Sequence, residues 1–258
     1  MAPVRQPATL QSYVLHRYDW SESSLILDLF TREQGRLAVA AKGAKRPYSQ
    51  LRAVLLPFQQ VHVTLSRPRR GAADDAAPPE VQNLRGAEWA GGTAMPTGAA
   101  LFAGFHCNEL LMKLLARSDP HPQLFDAYAQ TLPVLARAED AQVQAALRAF
   151  ELVLLRETGL LPDLSLVTAT QRAVRDDDRL ALQPEAGVAP ARAGEPGLPG
   201  AVLVAAQAAL EHGSMAALRQ VCAGALPAFR PVLRQLLHYH LGTPTLRTRQ
   251  VMLDLQTL

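Results

Sequence analysis

A chain of 258 residues that is 48% hydrophobic is long enough for one large domain or two smaller ones, and too apolar for wholesale disorder. Aromatics at 5% beside abundant alanine and leucine favour helix over most of the length, and no apolar run reaches the roughly 18–20 residues of a membrane span. The net charge of +3 is unevenly spread: residues 1–70 hold 11 Lys/Arg against 4 Asp/Glu, residues 71–218 hold 10 against 18, and residues 219–258 hold 5 against 1.

The front third reads as β. Short alternating or β-branched runs at 12–17, 24–31, 35–41 and 61–67, and a weaker one at 81–89, are bounded by turn residues. Gly35 stands where the second hairpin needs a positive φ. Five short strands with one longer connection at 42–56 fit a small Greek-key barrel of the OB type over residues 1–90. The Pro- and Gly-rich stretch 67–80 reads as a loop.

From Pro96 the period becomes helical. Leu101, Phe105, Asn108, Leu111, Met112 and Leu115 recur at three and four residues. Further helices are expected at 122–137, 141–158, 201–211, 214–224, 227–241 and 245–256. "LRAFELVLLRE" is apolar nearly all round and reads as the central buried helix, with Gly159 at its C-terminal cap. Residues 160–200, rich in Pro, Gly and Asp, read as an irregular insert or short ribbon. The expected class is α+β: a barrel, then a mostly helical domain over 91–258 carrying that insert.

Patterns for catalysis are weak. His238 and His240 are two residues apart and point in different directions on a helix; His106 and Cys107 are adjacent. Neither pair has a third ligand at a sensible spacing, so no metal is expected. Cys107 and Cys222 sit in no CxxC pair and read as buried thiols. There is no GxSxG elbow, Walker loop or GxGxxG, and the acids of "RDDDR" read as solvated loop residues. The first residues, with Arg5, Pro3 and Pro7, hold no apolar signal core, so a cytoplasmic, non-enzymatic protein is the expectation.

What remains is "AKGAKRP", residues 41–47: three cations in five residues after a strand, with no acid in the segment to pair with them. Lys42, Lys45, Arg46 and Arg52 are joined by Arg36 before them and by Arg67, Arg69 and Arg70 after the next long strand. A barrel rimmed by cations suits phosphodiesters, because Lys and Arg displace condensed counterions. Tyr13, Tyr18, Trp20 and Tyr48 are candidate stacking platforms for unpaired bases, or core residues. Arg230, Arg234, Arg247 and Arg249 offer a second basic patch.

The stretch "YVLHRYDWSESSLILDLFTREQGRLAVAAKGAKRP" resembles the N-terminal domain of the RecO family of bacterial DNA repair and recombination mediators. "LLPFQ", "NELLMKLL", "DPHPQLFDAYAQTL", "LRAFELVLLRETG" and "HLGTPTLRTRQV" continue the likeness in order along nearly the whole chain. The resemblance implies an OB barrel and a helical domain that bind single- and double-stranded DNA, anneal complementary strands and help load RecA onto coated single strands. The implied partners are RecR and the acidic, hydrophobic C-terminal tail of the single-strand-binding protein. Arg36, Lys42, Lys45 and Arg46 match the family's basic motif, with Arg52, Arg67, Arg69, Arg70, Arg247 and Arg249 added from their charge. For the coat-protein tail the candidates are Leu115, Arg117, Phe125 and Arg137, from an apolar pocket that also takes in Leu111, Leu124 and Leu132. Ser21, Glu22 and Ser24 match another family motif and read as a locally bonded turn; Asn108 and Glu109 read as a tie between helix and barrel. Some family members carry a four-cysteine zinc site after the central helix; residues 160–200 here hold no cysteine and do not fit one. Two other readings stay open: a protein-interaction adaptor built on the barrel, and an RNA-binding OB protein.

Overall fold

A computed structural model describes residues 9–66, 80–92, 95–242 and 246–256, the last five without their side chains. Packing divides the chain into two units, one of Met1–Met95 with Leu115–Phe125, the other of Pro96–Leu114 with Asp126–Leu258.

The first unit is a closed barrel of β1 (Thr9–Asp19), β2 (Leu25–Thr31), β3 (Gly35–Ala41), β4 (Gln60–Leu65) and β5 (Val81–Trp89), in the order β1-β2-β3-β5-β4. All pairs are antiparallel except β3 with β5, which is the OB arrangement. Alternation builds its core: Leu25, Leu27 and Leu29 from β2 and Leu37, Val39 and Ala41 from β3 join Leu10, Val14, Val61 and Val63 inside. Leu55, just after the short helix α1 (Leu51–Val54), and Ala44 join the same core, so the segment after β3 is partly anchored inside the barrel. The opposite face of the first hairpin is buried too. Phe125 packs on Tyr13 and Phe30, with ring centroids 5.2 and 5.5 Å away. Gly35 turns the second hairpin, β2–β3, with φ +69°, and a Cβ there would stand 1.9 Å from the Asp119 carbonyl oxygen. Glycine is therefore required twice, by its backbone and by the close approach of the 115–125 segment.

The second unit is helical: α2 (Ala99–Leu114), most of α3 (Pro122–Arg137), α4 (Asp140–Glu157), α5 (Gly200–Glu211), α6 (Met215–Gly224), α7 (Leu226–Leu241) and α8 (Arg247–Gln256). As its sequence requires, α4 is buried around most of its circumference, and it ends at Gly159 with φ +72°. Cys107 and Cys222 are free thiols, fully buried. No described helix is long and apolar enough to cross a membrane.

The insert has more order than expected. It forms a ribbon of β6 (Leu166–Val167) and β7 (Arg172–Ala173), then a three-stranded sheet of β8 (Arg179–Gln183), β9 (Gly187–Pro190) and β10 (Leu198–Pro199). Asp178, read as solvated, is a clasp: it accepts from Arg172 at 2.9 and 3.0 Å and from the Arg175 backbone N–H at 2.8 Å. Glu195 does the same for the next loop, accepting from the Arg192 N–H and the Gln183 amide, both at 3.0 Å.

Candidate nucleic-acid interface

One end of the barrel gathers the cations. β1 outruns its pairing with β4 and carries Arg17, Tyr18 and Asp19 out to the β1–β2 turn, beside the 42–50 loop. The two segments are stitched together. The Lys45 N–H donates to the Ser23 carbonyl at 2.9 Å and the Gly43 N–H to Ser24 Oγ at 3.4 Å. The Ser24 side chain thus reaches the next loop over, while its carbonyl holds its own turn, so the local bonds expected of the side chain are made by the backbone. Arg17 donates to the Leu55 carbonyl at 3.2 Å, tying β1 to the end of α1. Lys42, Arg46 and Arg52 are exposed and carry no ion pair among the described residues. Lys45 is different: its Nζ lies 3.1 Å from Asp19 Oδ1, so the loop does have an acid, supplied from β1. Arg67, Arg69 and Arg70 lie outside the described residues.

Arg36 is not part of that exposed rim. Its side chain is 13% exposed and its Nε lies 3.6 Å from Oδ1 of the buried Asp28 on the neighbouring strand. Burial lifts the Asp28 carboxyl above the ordinary carboxylate value; Arg36, Arg117 and His16 pull it back in part. The pair sits on the barrel wall, where Ser118 donates its N–H to the Arg36 carbonyl at 3.0 Å. Arg36 is thus engaged in the barrel wall and stands apart from the exposed loop cations with which its sequence position groups it.

Of the four aromatic candidates, Tyr13 is core, 4% exposed against Phe125. Tyr18, Trp20 and Tyr48 are 47%, 56% and 99% exposed. Tyr18 is edge-on to His16, centroids 4.4 Å apart. Sequence reading missed Arg17 and Trp89. The second is 62% exposed at the end of β5, its indole N–H donating to Gln59 at 3.1 Å.

The helical unit has a cationic surface of its own. Arg230, Arg234 and His238 recur every four residues on α7 and so share one face. Burial first, then Arg249, Arg148 and Arg230, hold Arg234 below the ordinary arginine value; burial, Arg249 and Arg234 do the same to His238. Arg249 therefore belongs to this group. Arg247 is exposed at the start of α8. That helix is held by Glu109, which accepts from the Arg247 N–H at 2.9 Å, the Thr248 N–H at 3.0 Å and the Thr248 hydroxyl at 2.7 Å. Its neighbour Asn108 accepts from the Tyr128 hydroxyl at 2.6 Å. These bonds of the polar pair run from helix to helix within the second unit.

The expected apolar pocket is closed. Leu111, Leu115, Leu124, Phe125 and Leu132 are at most 4% exposed, so they are core and line no open groove. Arg117 stands at the Arg36–Asp28 pair, and Arg137 is exposed at the end of α3. A cavity of about 380 Å³ opens in the helical unit between the insert and α7, lined by Gln183, Glu185, Glu195, Gln235 and Tyr239 among others. Its two carboxylates make it a poor host for an acidic tail. Among the described residues no three His, Cys, Asp or Glu side chains gather as a metal site.

Known proteins bear on this arrangement along its whole length. Residues 6–73 match Recombination protein O N terminal and residues 95–250 match Recombination protein O C terminal. The DNA repair protein RecO of Variovorax paradoxus (strain S110) is 50% identical over all of both chains. That of Albidiferax ferrireducens is 49% identical over 96% of this chain and 95% of its own. An OB barrel joined to a helical unit, with this likeness, defines a DNA repair protein. The chain belongs to the RecO family.

Proposed function

We propose that the protein is a non-enzymatic recombination mediator. It binds single- and double-stranded DNA without reading sequence, anneals complementary strands and assists the loading of RecA onto coated single strands. Its partners in this reading are RecR and the C-terminal tail of the single-strand-binding protein, and its place is the cytoplasm, at the nucleoid. One observation carries the reading: Lys42, Arg46 and Arg52 stand exposed, with no ion pair among the described residues, around a loop stitched to the β1–β2 turn. Exposed cations on an anchored loop match a polyanion. Annealing needs two repelling strands neutralised together, and each unit supports this with a cationic surface of its own.

Anisotropy of a labelled single-stranded oligonucleotide across a salt series tests it, comparing the native chain with Lys42→Glu/Lys45→Glu/Arg46→Glu. The native chain binds with a steep salt slope, and the folded triple variant loses affinity and slope together. Salt-insensitive binding, or equal binding by the variant, overturns it. The first result leaves the barrel as a protein-docking adaptor; preference for RNA in competition leaves an RNA-binding protein.

A further inference from the structure

We propose that Trp20 and the Lys45 loop form one subsite for an unpaired stretch of single-stranded DNA, with Trp20 stacked on a base and Lys45 on an adjoining phosphate. This rests on the reading of the barrel end as a DNA surface and goes beyond it, because it assigns what tells single strands from duplex there.

Three features converge. Trp20 holds a large apolar ring 56% in solvent on a short turn, where it adds little to the core. That turn is fixed: the Trp20 and Ser21 N–H groups donate to the Ser24 carbonyl at 3.3 and 3.4 Å. Lys45 is held to the same turn through its backbone bond to Ser23, and its ammonium stands 3.1 Å from Asp19 at the end of β1, just before that turn. An indole and an ammonium are thus presented from one stitched pair of segments. Phosphates are common to single strands and duplexes, so Lys45 alone cannot discriminate. A base inside a duplex has both faces covered by its neighbours, whereas an unpaired base offers one to an aromatic ring. Of the two rings flanking Asp19, Tyr18 is already edge-on to His16 and Trp20 is the more exposed.

The chain has two tryptophans, so Trp89→Phe leaves Trp20 as the sole reporter. That protein is titrated with oligothymidylate and with a hairpin duplex of equal phosphate count at low salt, reading DNA anisotropy and tryptophan emission together. Oligothymidylate quenches Trp20 and the duplex, though bound, leaves it nearly unchanged. Trp20→Leu weakens oligothymidylate about tenfold and the duplex by less than about twofold, and Trp20→Phe restores most of the loss and serves as the folded control. Saturable binding of oligothymidylate with an unmoved emission, or equal weakening of both DNAs by Trp20→Leu, overturns the subsite and leaves the DNA surface standing. Absence of any anisotropy change with either DNA overturns the DNA surface itself, and the subsite with it.

Discussion

The Lys45 ammonium and the Asp19 carboxylate meet at 3.1 Å across two segments separated by more than twenty residues, and Asp19 is 80% exposed while Lys45 is 29% exposed. A pair this wet contributes roughly 0–1 kcal/mol, little enough for a phosphate to displace the carboxylate. Asp19 therefore acts as a weak internal competitor for the group that the proposed DNA site would use.

Asp19→Asn should tighten single-strand binding by about twofold to fivefold at low salt and steepen the salt slope by about one ion. Thermal stability should stay within about 0.5 kcal/mol, as for most surface changes. Anisotropy titrations at several salt concentrations read both quantities; an unchanged or weakened affinity would show that Lys45 is not a contact.

Glu109 anchors α8 with three accepted hydrogen bonds, so Glu109→Ala should cost about 1–2 kcal/mol and expose the α8 amides to hydrogen exchange. Burial pushes this carboxyl up. The bonds from Thr248 and Arg247, with Lys113 at 3.5 Å, outweigh that push and hold it below its ordinary value of 4.5. A depressed acid stabilises the fold fully above its unfolded value and loses that contribution as pH falls through the folded one. The stability gap between native chain and variant should thus be full at neutral pH and close well below pH 4.5. A gap independent of pH would mean that packing, not charge, holds α8.

These contacts also mark where the sequence was legible. The five strands could be read because a period of two repeats long enough in "SLILDLF" and "GRLAVAA" to set an inside and an outside. The insert could not, because its strands are two to five residues long, too short for any period to show. Tyr13 reads equally as a stacking platform or as core until Phe125 arrives from beyond residue 100 to cover it. The Arg36–Asp28 pair carried a signal that went unused. Once the hairpin register pairs Asp28 with Ala38, Arg36 is the diagonal neighbour on the same face. The Lys45–Asp19 and Glu109–Thr248 contacts carried none, since they depend on chain crossings that only the folded molecule defines.

Glu151 is a carboxylate with no exposure at all, on the central helix α4, bonded to His106 at 2.9 Å and to Arg148 at 2.8 Å. Its Oε2 has no hydrogen-bond partner among the described residues. Glu151→Gln keeps the shape and removes the charge, leaving the largely buried Arg148 uncompensated. Breaking one partner of a buried pair costs about 3–5 kcal/mol. Chemical denaturation should show a loss of that order, and Glu151→Gln combined with Arg148→Met should recover part of it; a loss below about 1 kcal/mol would mean that water already screens the pair.

Cys107 and Cys222 should resist thiol reagents in the native protein. Burial, then Glu151, pushes Cys107 far above the ordinary thiol value and Cys222 up to about 12, with Arg148 only partly opposing. The thiolate is the reactive form, and both groups are covered as well. Neither should react with a disulfide dye near neutral pH, and both should react in denaturant. Fast labelling of the native chain would mean that the helical unit opens locally.

Gly35 and Gly43 make a matched pair, with φ +69° and +72° in the same unit. Alanine at Gly43 meets only the Arg46 side chain, at 3.6 Å, so Gly43→Ala costs the left-handed backbone alone, roughly 1–2 kcal/mol. Alanine at Gly35 meets the Asp119 backbone at 1.9 Å, and backbone cannot swing aside as a side chain does. The 115–125 segment must lift, taking Phe125 off Tyr13 and Phe30. Gly35→Ala should therefore cost at least about 2 kcal/mol more than Gly43→Ala, by analogy with loss of a buried aromatic contact. Denaturant midpoints of the two variants measure the difference directly. Equal losses would mean that the segment is not seated on the hairpin in solution.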